Sequence, residues 1–118
     1  MHFNEIEDLV VDILEKARGR YMLPYQIFLR LKKLNPDLGE KIENTYPALP
    51  GRKAMGKDAG TYYSPASFVA HALDHFSKTT RPEIDKQWFD SSDIEIEGII
   101  PGNKEETSIW AWSQYLKC

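Results

Sequence analysis

The sequence predicts an α+β fold, with N-terminal helices followed by a C-terminal antiparallel β-hairpin. Three observations carry this reading. Apolar residues between Asn4 and Arg18 recur at three- and four-residue steps. Ser64-Pro65 opens a second long helical pattern that runs to Lys78. Ile94-Glu95-Ile96-Glu97 then switches to a strict two-residue alternation. With 118 residues, one domain spanning 1–118 is expected. It divides into a helical part at 1–80, a mobile loop at 47–63 and a β-rich part at 84–116.

The first helix is expected over Asn4 to Arg18, with Ile6, Leu9, Val10, Ile13, Leu14 and Ala17 in one stripe. Asn4 is placed to cap it, and Glu7 sits three residues on, where its side chain reaches back to the cap amide. Lys16 and Arg18 end it at the negative pole, and Gly19 supplies a left-handed stop. Tyr21-Met22-Leu23 reads as a short extended piece before Pro24, which fits the first turn of a second helix. Ile27, Phe28, Leu31 and Leu34 form the buried face of that helix, with Leu29 beside them. Asn35-Pro36 breaks it, and Pro36 opens a brief third helix with Leu38, Ile42 and Tyr46 facing inward.

Pro47 to Tyr63 holds two prolines and three glycines in 17 residues, which predicts an exposed loop, most mobile over Pro50 to Thr61. The helix from Ser64 to Lys78 buries Phe68, Val69, Ala72, Leu73 and Phe76. It turns Ser67, His71, Asp74, His75 and Lys78 outward. Gln87-Trp88-Phe89 reads as a short strand. The isoleucines of Ile94 to Glu97 face in and the acids out, Ile99-Ile100 continues past a bulge at Gly98, and Pro101 to Lys104 turns the chain. Ser108 to Tyr115 is the returning strand, with Trp110 and Trp112 on one side and Ile109, Ala111 and Tyr115 on the other. Such a sheet is either covered on both sides or open on one.

Composition narrows the function classes. Hydrophobic residues at 42% and charged residues at 28% are an ordinary globular balance. No apolar run nears the roughly 20 residues that cross a bilayer, and the N-terminus lacks the basic and apolar regions of a signal peptide, so a cytoplasmic location away from membranes is expected. Cys118 is the only cysteine, which excludes an intramolecular disulfide.

The net charge of −3 is divided unevenly. Lys16 to Lys57 carries ten basic against three acidic residues, a net +7, whereas Glu83 to Glu106 carries eight acidic against two basic, a net −6. That asymmetry fits a basic face meeting phosphate and an acidic face turned elsewhere.

Gly51 to Lys57 has the GxxxxGK spacing of a phosphate loop. Such a loop needs a preceding strand and a following helix, but Pro50 comes before it, Asp58 stands where a magnesium-holding Ser or Thr belongs, and Gly60 follows, so no nucleotide is expected. His71 and His75 lie one helical turn apart, as zinc ligands can, but no third ligand is in evidence, and neither metal nor other cofactor is expected. No catalytic residue is assigned, because no nucleophile or acid–base pair has an identifiable pocket.

The order of elements resembles a winged helix-turn-helix domain. Asn4 to Arg18 matches its first helix, Tyr21-Met22-Leu23 its short leading strand, and Pro24 to Leu34 its second helix. Ser64 to Lys78 then stands as recognition helix, reached through the 29 residues from Asn35 to Tyr63, and Asp93 to Tyr115 as wing. The resemblance implies duplex DNA as partner, as for a small transcriptional regulator, with the recognition helix in the major groove. The residues expected to meet it are Arg30, Lys32, Lys33, Arg52, Lys53, Lys57, Ser67, His71, His75 and Lys78. The alternative is a non-catalytic module for a protein partner or self-association, using Trp110, Trp112, Glu95 and Glu97 on an acidic, aromatic hairpin.

Overall fold

A computed structural model describes residues 1–46, 64–90 and 106–113. After a 3-10 turn at Phe3–Glu5 come helices α1 (Glu7–Lys16), α2 (Pro24–Leu34), α3 (Pro36–Thr45) and α4 (Pro65–Lys78), then strands β1 (Ile84–Asp90) and β2 (Glu106–Trp112). The strands pair antiparallel, with Ile84 opposite Trp112, Lys86 opposite Trp110 and Trp88 opposite Ser108. The fold is therefore α+β with a C-terminal hairpin, the class expected from the sequence.

The helix boundaries follow local chemistry. Ser64 Oγ accepts from the Ser67 amide at 3.1 Å, and Pro65 follows at the first helical position, where its missing N–H costs nothing. Asn35 Oδ1 accepts from the Leu38 amide at 3.2 Å, so α2 stops and α3 starts within one residue. Gly19 adopts the expected left-handed conformation, with φ 84°, and Arg18 before it does so too, with φ 54°. Gly39 is required for another reason: a Cβ there would lie 2.8 Å from Lys32 Cβ and 2.9 Å from its Cα. Only a glycine lets α3 approach α2 so closely.

Two expectations about the helices are corrected. Asn4 and Glu7 do not cap α1. Instead Glu5 accepts from the His2 amide at 2.7 Å within the 3-10 turn, and Glu7 is drawn to Arg81 at 2.9 Å and to Thr80 at 3.1 Å. A charge-assisted bond to Arg81 outcompetes a bond to a solvated amide. Leu34 does not join the buried face of α2; as the last residue of the helix it is 53% exposed.

One apolar cluster unites the elements. It takes Ile6, Val10, Ile13 and Leu14 from the N-terminal part, Ile27, Phe28 and Leu31 from α2, and Ile42 from α3. Phe68, Val69, Ala72, Leu73 and Phe76 come from α4, with Ile84, Trp110 and Trp112 from the strands. Tyr46 stacks on Phe68 with centroids 4.7 Å apart, which closes the α3 end of the core as the sequence predicts.

The sheet has one more contributor. Met22 exchanges two backbone hydrogen bonds with Trp110, at 2.8 and 2.9 Å, so β2 lies between the segment linking α1 to α2 and strand β1. On the outer side, Tyr21 donates to the Asp85 carboxylate. Ala111 is fully buried, so the sheet is covered on both sides there.

The strand assignment also changes. The partner of β2 is Ile84–Asp90, a longer form of the short strand expected at Gln87-Trp88-Phe89. Ile94 to Ile100, expected to pair with it, lies outside the described residues, as do the 47–63 loop and Tyr115.

Candidate functional site

The outer side of α4 and the adjoining edge of β1 gather the chemistry-bearing side chains. Because Phe68, Val69, Ala72, Leu73 and Phe76 are buried, the 3.6-residue period turns His71, His75 and Lys78 to solvent. Ser67 and Asp74 are half-buried.

Asp74 is the hub. Its carboxylate meets Lys78 Nζ at 2.9 Å and Lys86 Nζ, from β1, at 3.7 Å. Partial burial pushes the Asp74 carboxyl up, but the Lys78 hydrogen bond and the charges of Lys86, Lys78 and His71 outweigh it and hold it below the usual value. Asp74 is therefore ionised at neutral pH, and with Lys78 and Lys86 it leaves the cluster one positive charge in excess.

Lys86 occupies an inward-facing strand position, where an apolar residue belongs. It is accommodated by stacking its ammonium over the Trp88 ring, 4.3 Å from the centroid, and more loosely over Trp110 at 5.4 Å. Trp88 itself is 61% exposed. His71 is held below the ordinary imidazole value by burial, helped by the nearby Lys86 charge and opposed by Asp74. His75 packs its ring against Phe3, with centroids 5.4 Å apart. Among the described residues no three His, Cys, Asp or Glu side chains converge as metal ligands would.

The sequence-predicted site residues separate into groups. Ser67, His71, His75 and Lys78 share the outer half of α4. Arg30 and Lys33 lie on the outside of α2 and have no carboxylate partner among the described residues, flanked by Leu29 at 40% and Leu34 at 53% exposure. Lys32 points instead to α3, paired with Glu43 at 2.9 Å. Lys16 and Lys41, counted in the basic segment, are likewise tied to Asp12 and Glu5. Arg52, Lys53, Lys57, Glu95 and Glu97 lie outside the described residues.

Trp110 and Trp112, expected as an open aromatic surface, are core residues at 1% and 5% exposure. Their side of β2 faces the helices, so they are unavailable to a partner. Lys86 and Trp88 were not among the candidates. The two-residue step from Ile84 through Lys86 to Trp88 places all three on one face, and that is the signal that identifies them. Comparison of the chain with known protein families, curated proteins and solved structures found no match.

Proposed function

We propose that this chain is a small winged-helix-like nucleic-acid-binding domain, with α4 set toward the groove of a duplex and the β1–β2 hairpin beside it. The observation that supports this reading is the order of the sheet. Met22, from between the first two helices, pairs with the last strand, and β1 follows α4 after a five-residue link. With α3 inserted between the second helix and α4, that is the helix, strand, helix, helix, hairpin order of the resemblance, and among the described residues His71, His75 and Lys78 of α4 stay exposed. Lys78, Lys86 and His71 would then meet phosphate, while Ser67 and His75 border the groove.

A second reading, a protein-interaction module, has its own support on α2. Arg30 and Lys33 are unpaired among the described residues and lie between two exposed leucines. An acidic segment with apolar flanks would satisfy all four side chains, whereas a nucleic-acid backbone would leave the leucines uncovered.

Fluorescence anisotropy with a labelled random duplex distinguishes the two. At about 50 mM salt the domain is expected to bind in the roughly 10⁻⁶ to 10⁻⁴ M range of non-specific complexes. Each phosphate contact adds about 0.9 to the logarithmic salt slope, so Lys78 and Lys86 alone predict a slope near −2. Absence of binding at about 100 μM protein, the weak end of that range, would remove the nucleic-acid reading and leave the α2 surface.

A further inference from the structure

We infer that Trp88 is a stacking platform for an unpaired nucleobase, which directs the domain to duplexes with a single-stranded extension. The inference rests on the nucleic-acid reading above and names its substrate class. Trp88 is the most exposed large apolar side chain among the described residues, at 61%. Its strand face is otherwise closed: Ile84, Trp110 and Trp112 on the same side are all 5% exposed or less. Opposite Trp88 stands Ser108, too short to cover an indole, and its hydroxyl is engaged by the Trp110 N–H at 2.9 Å. The register thus presents one exposed ring between the buried part of the face and the terminal Asp90–Glu106 pair.

The surroundings select the ligand. One side of the indole carries the Lys86 ammonium, whose second contact, Asp74, also holds Lys78. A protein hot spot sits in a well-packed pocket whose surrounding contacts exclude water. Here the described neighbours are Lys86 over the ring, exposed Gln87 in the chain, and Ser108 across the strand pair. An exposed flat aromatic with an ammonium over one face suits a base and its phosphate, since any base can stack and Lys86 meets the backbone. Because Lys86 reaches both Trp88 and Asp74, the stacked base would adjoin the outer side of α4, where the duplex is placed.

The test compares a blunt duplex with the same duplex carrying a short oligo-dT overhang, by anisotropy at low salt, using the wild-type chain and the Trp88→Ala and Trp88→Phe variants. Base stacking of about 1–3 kcal/mol predicts at least about fivefold tighter binding of the overhang by the wild type. Trp88→Ala is expected to bring the ratio of overhang to blunt-duplex affinity to about one, whatever its absolute affinity for either probe, and Trp88→Phe to keep part of the preference. Indole fluorescence of the wild type is expected to be quenched by the overhang and not by the blunt duplex, with the quenching absent in Trp88→Ala. Equal affinity for both probes, or a preference that survives Trp88→Ala, would overturn the stacking role and leave duplex binding standing. Failure to bind either probe would overturn both.

Discussion

Trp110→Ala is expected to lower the unfolding free energy by about 3–5 kcal/mol, the range for truncating a large buried aromatic. Trp110 is 1% exposed and lies on β2, the strand joined both to β1 and to Met22. Truncation would open a cavity where strand and helices meet. It would also leave the Ser108 hydroxyl, itself buried, without its indole partner. Domains of this size are stable by only about 5–15 kcal/mol, so the variant stands close to unfolding at room temperature. Urea denaturation followed by far-UV circular dichroism measures the loss directly. Trp110→Phe, which keeps most of the ring volume, should fall between the two. A loss for Trp110→Ala below about 1 kcal/mol, the scale of a surface change, would show that the sheet does not rest on this side chain.

The second large effect concerns binding. The Lys78→Glu, Lys86→Gln double variant is expected to weaken duplex affinity by roughly 10- to 100-fold, taking about 1–3 kcal/mol for the charge-assisted contacts removed. Its salt slope should flatten by about two contacts' worth. The fold should survive, because the Lys78–Asp74 pair is on the surface, with the lysine side chain 71% exposed, and such pairs contribute about 0–1 kcal/mol. Circular dichroism of the variant separates lost affinity from lost structure. Arg30→Glu with Lys33→Glu is the matching control on α2, where the same loss would point to the other surface.

Much of this architecture is legible in the sequence because its causes are local. α4 begins at Ser64-Pro65 and buries the five apolar residues that its 3.6-residue period selects. α3 begins where Asn35-Pro36 breaks α2. The features that escape a local reading depend on partners far along the chain. Glu7 is three residues from Asn4 yet bonds to Arg81, 74 positions away, and no cap pattern carries that information. The partner of β2 was hidden for a similar reason. Ile94 to Glu97 alternates more regularly than Ile84 to Trp88, whose central inward position is Lys86, and only Asp74 and two indole rings make a lysine acceptable there. The same substitution of tertiary contacts for local pattern conceals the candidate site. Charge counting marks Lys32, Lys16 and Lys41 as a basic face, while each has a carboxylate partner of its own; Lys78 and Lys86 share one, Asp74, and keep a positive charge in excess. The cations that border an open surface are fewer and lie elsewhere.

The proposed nucleic-acid surface is the outer side of α4 with the neighbouring edge of β1. Amide chemical-shift mapping of the isotopically labelled chain with a short random duplex at low salt tests it most directly. Saturable shifts are expected in Ser67, His71, Asp74, His75 and Lys78, and in Lys86 and Gln87, with Gln26 to Leu34 nearly unmoved. Shifts confined to Gln26 to Leu34, or no saturable shift at all, would contradict it.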